Sequence, residues 1–519
     1  MSKLSRKKKE NIDDLEKYYG LAENKKLEGL LNNDIKDFKK IIKGSDDIIF
    51  REFMINHKYS AIIFFLVGFS DNEEINSYIL KPLNKFAHDY SEKENTLLKN
   101  HIKQEIWVSD IKTTSLIKDI LNNVLCGKVI LLVDKIDEGF IIDVCNFKTR
   151  NIEEPVTEPA TRGPREGFTE FIETNITLIR RRLKTPRLKV NKMEVGKLTK
   201  TNVIITYIDG IAEEHLIDEI KKRILKIDID VILESGYIEE LIEDNRYSIF
   251  SQIGYTERPD RLVACLLEGQ VGIIVDNTPI VLIAPQTFIQ FIQSSEDYYE
   301  RYIPSAMIRI IRYLALTTAL FLPSIYIAVL TFHPGMLPKA LLLNIWASRE
   351  DVPFPVFVEA IVMEIFFEAL REAGVRLPRT TSQTVSIVGA LIIGQAAVQA
   401  GIVSASMVIV VSVTGISSFI IPQYNLGLSI RVLRFSFMIL AGAFGLYGVF
   451  MGILIMLIHM AKLESFGVPY LSPLAPLDSK SLKDVFFRAP WWLMKKRPSF
   501  IAKKDVSRIS EGGNKKNED

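Results

Sequence analysis

Three long stretches without a charged residue occupy the second half of this 519-residue chain, and they restrict its fold more than anything else in it. Residues 313–338 and 380–430 contain no Lys, Arg, Asp or Glu, and in residues 435–461 only His459 titrates. A bilayer-crossing helix needs about 20 mostly apolar residues, so these stretches hold roughly one, two and one spans. The first three hundred residues are charged throughout. Their longest apolar run, AIIFFLVG at 61–68, is too short to span and reads as a buried strand. The chain is therefore expected to be an integral membrane protein with a large region outside the bilayer.

Charge then fixes orientation and removes other classes. The 65 Lys+Arg nearly cancel the 63 Asp+Glu, without the basic excess of a general nucleic-acid binder. Cys126, Cys145 and Cys265 lack the spacing of a zinc ribbon, a redox pair or a disulfide scaffold, and each reads as a small buried hydrophobe. The N-terminus, MSKLSRKKKENIDD, is basic but is followed by no apolar core or small-residue cleavage site, so it is not a secretory signal. It reads as a solvated tail able to touch anionic lipid. With Arg301, Arg309 and Arg312 before the first span, it places the N-terminal region in the cytoplasm. The tail bearing Lys480, Lys483, Arg488, Lys495, Lys496 and Arg497 reads as cytoplasmic too, which requires an even number of spans. Four satisfies this if residues 356–370 lie flat in the membrane interface.

Two small α/β subdomains are expected before the membrane. In the first, KVILLV at 128–133 and residues 140–144 flank a turn at 137–139 and form a hairpin. Residues 149–167, rich in Pro, Gly and Glu, read as a linker or extended crossover before a helix at 168–183 that ends in the basic patch Arg180, Arg181 and Arg182. In the second, NVIITY at 202–207 is a strand and residues 212–226 an amphipathic helix with Leu216, Ile220 and Ile224 on one face; His215 on this helix is a surface or interface residue. Residues 229–233 read as another strand, and VGIIVDNTPIVLIAP at 271–285 as two strands meeting at Asp276 and Asn277. Residues 287–303 read as an amphipathic helix along the membrane surface. The expected fold class is α+β: a cytoplasmic region of two α/β subdomains, then an α-helical polytopic membrane domain of about four spans plus an interfacial amphipathic helix. The corresponding segments are 1–150, a linker and helix at 151–190, 191–300, 301–465 and a cytoplasmic tail at 466–519.

Chemistry-bearing motifs are few. There is no phosphate-cradling glycine loop, HExxH, GxSxG or kinase set, and the six His are scattered, so no enzyme, cofactor or metal is expected. Pro323 sits inside the first span, where neighbouring helices must satisfy the carbonyl it frees. Glu359, Glu364 and Glu368 punctuate the apolar 356–370 segment, with Glu364 and Glu368 on one face. In hydrocarbon they need pairing, protonation or water, so they are candidates for ion attraction or for interfacial placement. Along residues 380–430, Thr384, Val388, Leu391, Gln395 and Gln399 form a neutral, mildly polar stripe, a candidate pore wall. Ser386, Gly389, Ile393, Ala397 and Ala400 bring small side chains to a neighbouring helix.

Five runs give the chain a resemblance: RGPREGFTE (162–170), LEGQVGIIVDNTP (267–279), PVFVEAIVMEIFFEALREAGVRLP (355–378), SIVGALIIGQAAVQAGIVS (386–404) and SSFIIPQYNLGLSIRVLRF (417–435). From about residue 125 to 490 the chain resembles the A subunit of spore germinant receptors, the GerA family of spore-forming bacteria. The resemblance implies a nutrient sensor of the spore inner membrane, working beside a transporter-like B subunit, itself the natural nutrient-binding partner, and a lipoprotein C subunit. Nutrient binding would release monovalent cations and then calcium dipicolinate. The residues add a small-residue bundle that could conduct as a homo-oligomeric ring. The alternatives are a non-conducting signalling scaffold and a transporter subunit. Arg162, Arg165 and Glu166 are candidate coupling residues with Pro323, through recognition of an anion or through Arg162–Glu166-type pairing that sets the angle between the soluble subdomains.

Overall fold

Short β-branched runs alternate with amphipathic helices through the first half of the chain, and they build two antiparallel sheets. The computed structural model describes residues 25–55, 58–84, 95–144, 153–155, 157–376, 389, 392–479, 481–502 and 507–508. It divides into an α/β unit (Met1–Asp244, Ile253–Pro285 and Met494–Asp519) and a helical unit (Asn245–Gln252 and Gln286–Leu493).

In the α/β unit, helix α1 (Leu31–Ile41) precedes strands β1 (Ile48–Ile55) and β2 (Tyr59–Leu66). Helix α2 (Asn95–Glu105) leads to β3 (Ile111–Thr114), and α3 (Ile117–Leu125) joins it to β4 (Val129–Val133) and β5 (Gly139–Ile142). The sheet order is β1-β2-β4-β5-β3. Every residue of β4 is buried because both faces are covered. Phe38 of α1 and Ile120 of α3 lie on one side, and Leu98 and Ile102 of α2 on the other. Helix α4 (Ile172–Arg182) then precedes β6 (Leu188–Val195) and β7 (Thr201–Ile208). Helices α5 (Glu214–Leu225) and α6 (Ser235–Ile242) lead to β8 (Gly254–Thr256), and α7 (Pro259–Leu267) to β9 (Val271–Val275) and β10 (Val281–Ala284). Their order, β6-β7-β9-β10-β8, is the first order repeated. The unit is a tandem duplication of one topology.

The two copies are sewn along one seam. Asp46 N donates to Val190 O at 2.9 Å and Val190 N to Gly44 O at 3.1 Å, so the loop before β1 extends the edge of β6. Beneath it Arg180 donates from Nε and Nη2 to the two oxygens of Asp47, at 2.7 and 2.9 Å, and from Nη1 to Thr185 O at 3.1 Å. Gly68 closes the other side with φ +81°; a Cβ there would stand 2.4 Å from Thr177 Oγ1 on α4. A cleft of about 1340 Å³ opens beside the seam, with Asp46, Asp71, Glu170 and Asp276 facing Arg181 and Lys192.

Several local expectations change. Residues 229–233 form no strand. Their carbonyls instead accept from the turn between β6 and β7 and from the first residue of β7, Ile229 O from Lys197 N at 3.0 Å and Ile232 O from Thr201 Oγ1 at 2.8 Å. Residues 287–303 are two 3-10 turns, Phe288–Phe291 and Ser295–Tyr298, before a long helix starts at Tyr302. Cys126 is exposed; the thiol of Cys265 is pushed up to about 12 by burial, and Cys145 lies outside the described residues.

The helical unit contains α8 (Tyr302–Phe332), α9 (Val356–Arg376), α10 (Ala405–Phe419) and α11 (Tyr424–Lys462). Two of these, α8 and α11, are long and apolar enough to cross a membrane, against the four spans expected. The stretch expected to be a single span at 435–461 is folded back on itself. Gly445 takes φ 61° and ψ −144°, a conformation open essentially only to glycine, and the helix reverses there. Gly448 is consequently so close to Leu440 that a Cβ would stand 2.2 Å from its carbonyl oxygen. The two arms return to one level: Ser429 Oγ donates to Ile249 O at 2.6 Å, and His459 Nε2 lies 3.0 Å from Ser248 Oγ. Helix α9, expected to lie flat in the membrane interface, packs along its length against another helix. It runs antiparallel to the first arm of α11, with Phe357 on Gly442 and Glu364 on Arg434. Before α8, Phe288 N donates to Tyr470 O beyond α11 at 2.9 Å, so the chain enters and leaves the bundle at the same end.

Candidate functional site: an ion-paired ladder in the helical unit

Pro323 has no N–H, so the carbonyl of Ala319, four residues earlier in α8, loses its helical partner. That carbonyl accepts from Arg434 Nε of α11 at 2.8 Å. Arg434 Nη1 donates in turn to Glu364 Oε2 of α9 at 2.7 Å, and both side chains are fully buried. One guanidinium therefore repairs the proline break and neutralises a buried carboxylate, tying three helices together. The node retains spare bonding capacity, because Glu364 Oε1, Arg434 Nη2 and the nearby-in-sequence Ser324 Oγ make no hydrogen bond within the protein.

Similar pairs stand on either side. Glu359 accepts from Arg349 Nη1 at 2.5 Å and, through its other oxygen, from Ser404 N and Oγ, each at 2.7 Å, which caps the start of α10. Glu368 lies 3.1 Å from Arg371 and 3.2 Å from Arg431. Arg371 also donates to Ser418 Oγ and lies over the rings of Phe367 and Phe419, at 5.1 and 4.7 Å. The three glutamates of α9 thus meet arginines from α11, from the segment before α9 and from α9 itself. Near the start of α8, buried Asp297 lies 3.1 Å from Arg309 and 2.8 Å from Arg312; Arg309 also meets Asp484 at 2.8 Å.

The other singled-out residues are dispersed. Thr384, Val388 and Leu391 lie outside the described residues, whereas Gln395 and Gln399 are exposed on a short helical segment with Gly394 and Ala396. In the α/β unit, Arg162 and Arg165 are exposed, with Arg165 Nε 3.8 Å from Glu154. Glu166 meets Arg181 and Arg182 of α4, at 3.3 and 2.7 Å, so its carboxylate braces the basic patch at that helix end. The linker is folded onto the second repeat, because Arg258 before α7 donates to Glu158 O and Pro164 O. Sequence reasoning missed Arg434, Arg431 and Arg349 as partners. The available signal was an arginine pair in an otherwise apolar region facing an equally isolated set of glutamates. Among the described residues no group of His, Cys, Asp and Glu could hold a metal ion.

A duplicated α/β unit is joined to apolar helices whose internal charges are neutralised in pairs, two of them long and apolar enough to cross a membrane. Residues 36–500 match the family described as Bacillus/Clostridium GerA spore germination protein, and the chain belongs to that family. It is 46% identical to spore germination protein KA of Bacillus subtilis over 92% of this chain and 88% of that one. It is 47% identical to a B. subtilis membrane protein, YfkQ, over 90% of each. A crystal structure of the N-terminal domain of the A subunit of the Bacillus megaterium germinant receptor GerK3 is 35% identical, covering 51% of this chain and 99% of that chain at a TM-score of 0.40. The family relationship gives the chain a role in spore germination.

Proposed function

We propose that this chain is the non-enzymatic A subunit of a nutrient germinant receptor in the spore inner membrane, with its α/β unit and tail in the cytoplasm. It acts with a B subunit that binds nutrient and a lipoprotein C subunit, and copies of its helical unit surround a path for monovalent cations. The supporting observation is the exposed, uncharged face carrying Gln395 and Gln399. The carboxylates that could have attracted cations, Glu359, Glu364 and Glu368, are held by arginines. Neutral amides beside small residues suit a pore wall in which an ion keeps part of its water. A single copy offers too few helices to enclose such a path, which a closed ring of copies would supply. On this reading Thr384, Val388 and Leu391 complete the wall, and the Ala319–Arg434–Glu364 node is a strut whose repacking accompanies opening.

The test is a planar-bilayer recording of the chain purified with its B and C partners while nutrients are added. Nutrient-dependent unitary steps are expected, with Gln395→Leu lowering conductance roughly twofold or more. Unchanged steps in the fully assembled variant would overturn the wall assignment, and a silent bilayer with nutrient bound would overturn conduction itself.

A further inference from the structure

Beside the start of α8 lies a patch that the channel reading does not use. The segment Phe486, Phe487, Trp491, Trp492 and Leu493 exposes these five side chains by 46 to 64%, and α8 adds Ile303, Met307 and Ile311 at 50 to 61%. These apolar and aromatic side chains adjoin an apolar helix and are left exposed among the described residues. Ring contacts fix its direction along α8. Phe486 lies 5.5 Å from Tyr313, while Trp492 lies 5.6 Å from Tyr302 and Trp491 5.9 Å from Tyr298. Tyr302 and Tyr313 are separated by about 16 Å along a helix rising 1.5 Å per residue. Phe486 is therefore set toward the middle of the long apolar helix, and the tryptophans, each with an N–H, toward its end.

We propose that residues 486–493 form a membrane-interface anchor, with Phe486 and Phe487 in the acyl region of one leaflet and Trp491 and Trp492 at its headgroups. The ordering matches the depth preference of these side chains, since Trp and Tyr collect where one end of the ring is apolar and the other wet. The same stretch of α8 also exposes Ile303, Met307 and Ile311. Behind it, Asp484 and Asp297 hold the guanidinium of Arg309 inside the protein. Arg488 packs over Tyr298 and Trp491, at 6.0 and 5.8 Å, which fixes the rings from behind. The anchor sets where along α8 the bilayer begins, and does so whether or not the bundle conducts.

The full chain carries four tryptophans, so Trp107→Phe with Trp346→Phe leaves only the anchor pair. In nanodiscs of phosphatidylglycerol and phosphatidylethanolamine, lipids spin-labelled near the headgroup are expected to quench this fluorescence about twice as strongly as lipids labelled deep in the acyl chain. Aqueous iodide should quench it weakly. Phe487→Trp in a chain lacking the four native tryptophans should invert the order, with the deep label the stronger quencher. Strong iodide quenching without lipid quenching would place the segment in water. Quenching by neither would show that protein, a second copy or a partner subunit, covers it. Either result, or a Phe487→Trp signal at the same depth as the native pair, would overturn the anchor.

Discussion

Buried charge is handled differently in the two units. In the α/β unit, Arg180 and Asp47 satisfy each other through two hydrogen bonds, and the third guanidinium nitrogen takes a backbone carbonyl. In the helical unit, Arg434 and Glu364 share one hydrogen bond and leave an oxygen and a nitrogen unused. The first arrangement is saturated and suits a seam that holds two repeats in one register. The second is under-filled, and under-filled buried polar groups are where an alternative arrangement costs least. The contrast suggests that rigidity is concentrated in the α/β seam and adaptability at the proline break.

The largest effect should come from breaking the under-filled pair. Arg434→Leu strands a buried carboxylate and the Ala319 carbonyl together, and should destabilise the helical unit by about 3–5 kcal/mol. Adding Glu364→Leu should recover much of that loss, because the charge is then gone. Melting midpoints of the single and double variants in detergent test this. A double variant as unstable as the single would mean that the carbonyl, rather than the ion pair, is what Arg434 serves.

Lys189 sharpens the α/β side. It is buried at the seam with Nζ 3.3 Å from Ile41 O, and desolvation lowers its pKa from 10.5 to about 8, opposed by nearby Asp209 and Asp47. Between these two pH values the unfolded chain holds a proton that the folded one has lost, so stability rises as pH increases through that window. The gain should be at most about 3 kcal/mol, absent below the folded pKa and complete above the unfolded one. Urea midpoints at pH 7 and pH 10 for the full chain and for Lys189→Met measure it. If the slope of the Met variant matched that of the parent chain, the effect would belong to another group.

A smaller effect is expected at the helical reversal. Gly445→Ala forces a side chain into a glycine conformation, with its Cβ 2.9 Å from the Phe332 ring, and should cost about 2 kcal/mol. An unchanged melting midpoint in detergent would show that the two arms relax freely, against the close packing at Gly448 and Gly452.

What could be read in advance followed the range of the interactions. The hairpin at Asp276 and Asn277, the strand at 202–207 and the helix at 212–226 are local patterns, and the structure has them at β9–β10, β7 and α5. Strand β6 escaped because LKVNKMEV alternates apolar residues with Lys, Asn and Glu, and its strand character comes from β7 and the seam. Residues 229–233 are a mostly apolar run whose carbonyls are taken up by Lys197 N and Thr201 Oγ1 instead of by a strand. The reversal at Gly445 was hidden because an apolar run looks the same whether it continues or turns; the spaced Gly442, Gly445, Gly448 and Gly452 were the readable trace. Pro323 was read as needing a partner for its freed carbonyl. That the partner is Arg434, more than a hundred residues away, is a fact of packing that no local pattern carries.

The turn at Gly445 also bears on how the chain is made. Its flanking residues, Ala443, Phe444 and Leu446, are apolar, so no charged loop has to be carried through the bilayer to bring the second arm back. The arms 424–444 and 446–462 can leave the translocation machinery together as a closed hairpin, already packed through their glycines. Arg431 and Arg434 emerge after α9, so the carboxylates of Glu364 and Glu368 are already made when the two arginines enter.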